Sequence, residues 1–312
     1  MATSDSGSQA NEPVLIETDS AETDASEVQS GRRGRIEASG GQGVRWAVAG
    51  GVIAVLLVVL AFAAGLFDFD DEAVRQEARR RVVSDLELQG VRLEPVRLDQ
   101  LPSDRPGDSE ATLVTLADEH LNGGVVDGAL LEQLEQLGPL VVSLAQTQVT
   151  ARGIGPIVSQ PEVWGLSLLG TGIDDGSLSV LEGREQLRLL SLERTAVSDQ
   201  GLVHLSQLTG LRQLYLTGTR VTDDGLDQLA GLTRLESLKL GGTEIGDEGL
   251  VCVARLPRLK YLTLDRTRVT DAAIPVLAEI QSLEFLNLQG TWVTTAGIKT
   301  LRDALPECRI EY

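Results

Sequence analysis

The chain has 312 residues, a formal charge of −19 and aromatic side chains at only 3% of its composition. A core built on Phe and Trp is thereby excluded, so Leu and Val must do the burying. The acidic balance also excludes a phosphate-backbone partner, which needs a basic footprint.

Residues 1–44 are rich in Ser, Gly, Asp and Glu. Such a segment cannot bury enough apolar area to offset its ordering entropy, so it reads as a disordered acidic tail. The next stretch, "WAVAGGVIAVLLVVLAFAAGLF" from Trp46 to Phe67, carries no charge. A helix of this length crosses a hydrocarbon layer of about 30 Å, and its terminal aromatics suit the interface. Residues 45–67 are therefore expected to form a transmembrane helix. Ala61-Phe62-Ala63 also fits a signal cleavage pattern, but leader and apolar run are both longer than a removable signal needs. Four arginines (32, 33, 35, 45) precede the run and four (75, 79, 80, 81) follow it, so the basic bias that orients a span nearly cancels. The preferred orientation at the cell membrane is N-terminus cytoplasmic and the large C-terminal part extracytoplasmic.

Residues 68–110 read as a juxtamembrane helix and stalk. Val74, Ala78, Val82 and Leu86 recur every four residues among charges, an amphipathic helix. "LPSDRPGDSE", Leu101 to Glu110, brings prolines, a glycine and acids that mark a flexible break. The alternative for the helical stripe is self-association.

From residue 139 to the end, one pattern returns every 24 residues. Written L-x-x-L-x-L-x-x-T-x-V, it places Thr147, Thr171, Thr195, Thr219, Thr243, Thr267 and Thr291 in one column. Val149, Ile173, Val197, Val221, Ile245, Val269 and Val293 stand two positions later. The L-x-L spacing of two belongs to a short strand, and the spacing of three in Leu226, Leu229 and Leu232 belongs to a helix or 3₁₀ turn. Ser198, Thr222 and Thr270 are N-cap residue types, with Asp199, Asp223 and Asp271 following in the first turn. One strand and one helix cannot bury an apolar face alone, whereas stacked units share a core. Residues 111–138, with Leu116, Leu121, Val126, Leu131, Leu134 and Leu137, read as a degenerate N-terminal capping repeat. Ile310 and Tyr312 fall on the core positions of a final strand, where Glu307, Arg309 and Glu311 discourage further strand addition.

The pattern resembles the leucine-rich repeat family. "VTDDGL" and "VSDQGL" make the chain similar to that family's cysteine-containing subtype and its bacterial membrane-anchored relatives. The resemblance implies an α/β solenoid, with parallel strands on a concave face and short helices on a convex one. The family's usual Asn or Cys after the strand is Thr here; its buried hydroxyl must find a partner, and backbone groups of the turn are the expected one.

Strand residues that alternate with the core leucines face the opposite side. The early ones are small, while the later ones include Tyr215, Lys239, Tyr261, Phe285 and Asn287, with Asp265, Arg266, Arg268 and Trp292 just beyond. Exposed aromatics and arginines are what interface hot spots are made of. These nine residues form the expected binding surface for a protein or cell-envelope ligand. The alternative for the aromatics is plain strand propensity.

His120 and His204 are the only histidines, and no Cys/His cluster has metal-ligand spacing. No nucleophile elbow or phosphate loop occurs either, so neither an enzyme nor a cofactor is expected. Cys252 on a helix and Cys308 on a strand are expected to be free thiols. The alternative function is a structural or transmembrane relay, with the acidic tail holding a cytosolic partner and the solenoid acting as a spacer.

Overall fold

The computed structural model describes residues 71–97 and 110–312. The expected tail, the run Trp46–Phe67 and most of the expected break at Leu101–Glu110 lie outside the described residues. Among the described residues, no helix is long and apolar enough to cross a membrane.

One ten-stranded sheet runs the length of the described unit. Strands β1 (Arg92–Arg97) and β2 (Glu110–Thr115) pair antiparallel. A separate two-stranded ribbon, β3 (Leu121–Asn122) with β4 (Val125–Val126), follows. From β2 onward the sheet is parallel and in sequence order: β5 (Leu140–Ser143), β6 (Val163–Ser167), β7 (Leu189–Ser191), β8 (Gln213–Tyr215), β9 (Ser237–Lys239), β10 (Tyr261–Thr263), β11 (Phe285–Asn287) and β12 (Arg309–Glu311). Each strand returns to the next through a short helical element, as 3₁₀ at Asp223–Leu229 and α-helix at Thr295–Ala304. This is a mixed α/β solenoid of the leucine-rich repeat type.

The core follows the column arithmetic. Leu190, Leu214, Leu238, Leu262 and Leu286 stack at zero exposure behind the sheet, and Leu226, Leu229 and Leu232 close the same core from the helical side. Burying a leucine contributes about 1.5–3 kcal/mol, so repetition gathers a large apolar total from a chain with few aromatics. The threonine column is satisfied inside its own turn. Each hydroxyl, from Thr147 to Thr291, donates to the carbonyl three residues back at 2.5–2.7 Å.

The "TDDGL" signature does more than the capping expected of it: Thr270 caps its turn by accepting from the Ala272 N–H, whereas Ser198 and Thr222 make no side-chain cap bond. Ser198, Thr222, Thr270 and Thr294 start helical turns, but each donates its hydroxyl to the aspartate 23 residues earlier, in the preceding repeat. The same carboxylates, Asp175, Asp199, Asp247 and Asp271, also accept the backbone N–H at 2.7–2.8 Å. Asp223 accepts from the Gly246 N–H alone. The acid thus bolts its repeat to the next, and Asp199, Asp223 and Asp271 also stand in a helical first turn. This explains the glycine after it: a Cβ on Gly225 would stand 2.2 Å from Asp199 Oδ1, and one on Gly249 2.4 Å from Asp223 Oδ1.

The helix expected within residues 68–110 is present, and it packs on the repeats. Helix α1 (Asp71–Leu88) puts Leu86 into the repeat core at zero exposure, with Val82 and Val83 packed against it. Val91 is equally buried, and β1 adds an antiparallel strand beyond β2. The first turns of the solenoid thus cover the C-terminal end of the apolar stripe, whereas Ala78 is exposed. At the other end Ile310 is buried, but Tyr312 is exposed and lies under the Arg302 guanidinium rather than in the core.

Candidate functional site

The free face of the sheet is built from the strand residues that point away from the core. It divides into two halves. In the first, a register shift between β5 and β6 leaves Trp164 without a partner in the ladder, and its ring packs over Val141 and Ala111 beside Leu113 and Leu189. The Arg188 guanidinium covers that ring at 3.8 Å from its centre. Next in the same column come Arg212 and Glu236, both buried and joined at 3.0 Å. This half thus holds a second, small apolar cluster with a half-buried edge, and a buried ion pair beside it.

The other half is open. Lys239 Nζ sits 4.0 Å over the Tyr215 ring, whose hydroxyl donates to Gln213 Oε1. Burial pushes the Tyr215 hydroxyl above its ordinary value. Tyr261 and Phe285 are register partners on adjacent strands, and Tyr261 is 44% exposed. Its hydroxyl donates to Glu284, which also holds Lys260 at 2.8 Å. That contact with Lys260, then the one with Tyr261, holds the Glu284 carboxyl below its ordinary value. The Glu284 hydrogen bond raises Tyr261 in turn. Arg309 lies 5.8 Å over the Phe285 ring. Asn287 accepts from the Gln289 N–H and fixes the start of the turn.

Four of the nine expected residues stand on the rim where the strands end, apart from the strand face. The Asp265 carboxylate lies where a Cβ on Gly241 would be, within 2.3 Å of it. Arg266 adopts a left-handed backbone, φ 55°. Arg268 pairs with Glu244 at 3.1 Å, and Trp292, 69% exposed, bridges to Thr270 beyond the turn. The structure therefore groups Tyr215 with Lys239, and Tyr261 with Phe285 and Asn287. Asp265, Arg266, Arg268 and Trp292 belong to the rim.

The column Trp164, Arg188, Arg212, Glu236, Lys260, Glu284 was missed by reading only alternate positions. Its 24-residue spacing and its exchange of charge sign were visible in the sequence. His204 is half-buried and contacts Glu182, and the Cys252 thiol donates to Asp227. Burial and that carboxylate push Cys252 up to about 11, so at neutral pH it is an unreactive thiol. Cys252 and Cys308 are both free. A cleft of about 290 Å³ at the N-terminal cap is lined by Gln89, Glu119, His120 and Asp127, and by none of the nine expected residues. Among the described residues no group of His, Cys, Asp or Glu could hold a metal.

A family model described as "Leucine Rich repeat" matches residues 232–254. No curated protein matches the chain. Among solved structures the chain is similar to internalin C2 of Listeria monocytogenes, at 22% identity and TM-score 0.47, over 64% of this chain and 80% of that one. It is similar to an internalin F of the same organism at 20% identity and TM-score 0.43, over 59% and 56%. A leucine-rich repeat protein of Leptospira interrogans follows at 18% and 0.43, over 61% and 58%.

Proposed function

We propose that the protein is a membrane-anchored recognition protein whose solenoid displays a rigid, concave strand face to a protein or cell-envelope ligand outside the cytoplasm. The anchor is the uncharged run Trp46–Phe67. One observation carries the reading: Tyr261 and Phe285 are neighbouring aromatics on a face that the core does not use. Elsewhere in this chain aromatic side chains are rare, so two in register are a costly placement without a partner. A solenoid held by stacked backbone and aspartate bonds is ordered beforehand, which lowers the entropic cost of capture. The leucine-rich repeat resemblance supports the same class of role.

The test is capture by the full chain in detergent, with crosslinking to envelope material. Tyr261→Ala, Phe285→Ala and Trp292→Ala together are expected to lower capture by about tenfold or more, the loss of at least one hot-spot contact, with the circular dichroism unchanged. Undiminished capture removes the reading. Deleting residues 1–44 is expected to leave capture intact, and its loss there favours the relay alternative.

A further inference from the structure

Seven turn residues, spaced by 24, share a left-handed backbone: Gln146, Gly170, Arg194, Gly218, Gly242, Arg266 and Gly290. Glycine takes that conformation freely, whereas a side chain costs about 1 kcal/mol or more there. Arg194 and Arg266 nevertheless adopt it at φ 55°. Each is followed one repeat later by glycine in the same position, and its stem lies across that glycine. A Cβ on Gly218 would stand 3.6 Å from Arg194 Cγ, and one on Gly290 3.3 Å from Arg266 Cγ. Both stems are thus laid along the rim before any ligand arrives.

Two positions further on, the backbone of Arg220 is tied to Val197 and that of Arg268 to Ile245, each at 2.8 Å. Arg268 is paired with Glu244. Arg194, Arg220 and Arg266 are exposed and have no carboxylate partner among the described residues. Along these four repeats the rim carries four cations, Arg194, Arg220, Arg266 and Arg268, against the three carboxylates Glu193, Glu244 and Asp265. Over the whole chain acids outnumber bases 46 to 27. The rim reverses the balance of the molecule.

We propose that this rim binds an extended acidic peptide, its carboxylates held by Arg194, Arg220 and Arg266. The proposal rests on the recognition reading above and names its partner's chemistry. Strands stack about 4.8 Å apart, so the three steps from the Arg194 repeat to the Arg266 repeat span about 14 Å, or about four residues of extended chain. Residues i, i+2 and i+4 of such a chain point the same way. Arg220 stands one repeat step from Arg194 and two from Arg266, about 5 and 10 Å. Acids at i and i+4 therefore meet Arg194 and Arg266 while the flexible Arg220 side chain reaches the acid at i+2, each guanidinium able to take a carboxylate through two N–H donors. Glu193 and Asp265, interspersed among the arginines, oppose a densely charged phosphate polymer.

The test is fluorescence anisotropy of the full chain in detergent with a labelled alternating Glu-Thr peptide of about a dozen residues, long enough to cover about 14 Å. Its Gln-Thr counterpart and polyphosphate are the controls. The Glu-Thr peptide is expected to bind, and Arg194→Gln, Arg220→Gln and Arg266→Gln together to weaken it by about tenfold or more. Arg194→Gly with Arg266→Gly, which suits the backbone, is expected to weaken it without lowering the melting temperature. Failure of the Glu-Thr peptide to bind, equal binding by Gln-Thr, unchanged binding by the arginine variants, or a preference for polyphosphate each overturns the rim proposal. If envelope capture still depends on Tyr261 and Phe285 in those cases, the recognition reading survives without it.

Discussion

The two halves of the sheet's free face share one period, one core and one turn, yet they use position two of the repeat in opposite ways. In the first half that position is closed: Trp164 roofs Val141, Arg188 roofs Trp164, and the Arg212–Glu236 pair is only 4% and 9% exposed at its side chains. In the second half the equivalent pair, Lys260–Glu284, is 43% and 50% exposed, and Tyr261 stands beside it in solvent. A repeat therefore specifies the stack while leaving the outer face free to be sealed or displayed. Sealing belongs to stability and display to recognition, and the two can be separated by substitution.

The largest effect is expected where sealing is most complete. Arg212→Ala leaves the buried Glu236 carboxylate without its guanidinium, and breaking such a pair costs about 3–5 kcal/mol. Chemical denaturation reads it directly; a cost below about 1 kcal/mol would place that pair in the class of exposed ones. Trp164→Ala comes next, at about 1–3 kcal/mol, because the ring is half-buried and leaves Val141 and Ala111 uncovered. Tyr261→Ala, by contrast, is expected to stay within about 0.5 kcal/mol, the usual range for a surface position. Equal losses at 164 and 261 would erase the distinction between the halves.

How far the sequence foretold this depends on whether a residue's partner shares its phase. The leucine, threonine and valine columns each answer to themselves one repeat away, so spacing alone places them. The threonine bonds lie three residues back in one turn and are equally local. The aspartate bolts connect residues 23 apart, and a first-turn acid has an adequate local explanation that hides the distant one. Trp164 occupies a register shift, where alternation of faces fails and does not place it. Helix α1 and β1 carry no repeat at all; their place against the first turns is set by packing that no period announces. Of the nine expected surface residues, the strand positions follow from alternation, while those past the turn required its left-handed geometry.

That geometry supplies a smaller, opposite-signed prediction. Arg266→Gly removes the strain of a left-handed arginine on the open side and is expected to stabilise the fold by about 0.5–1 kcal/mol, seen as a higher melting temperature. Display then costs stability, as sealing adds it. A lower melting temperature would mean that the arginine stem over Gly290 contributes more packing than its backbone loses.

The smallest effect concerns the exposed pair and distinguishes it by pH. Lys260 holds the Glu284 carboxyl below its ordinary value of 4.5, and Glu284 raises Lys260 above 10.5. A depressed carboxyl contributes stability that is present above its unfolded value and is lost as pH falls through the folded one. A raised amine contributes below its unfolded value and loses it as pH rises through the folded one. The difference in melting temperature between the wild type and Lys260→Ala is therefore expected to be small and constant between about pH 5 and pH 10, and to vanish on either side. Salt should shrink it within that window, because both side chains are solvated. The Arg212→Ala difference should resist the same salt, since its pair is screened by protein rather than by ions. If both differences respond alike to salt, position two does the same work in both halves, and the open half holds no surface kept free for a partner.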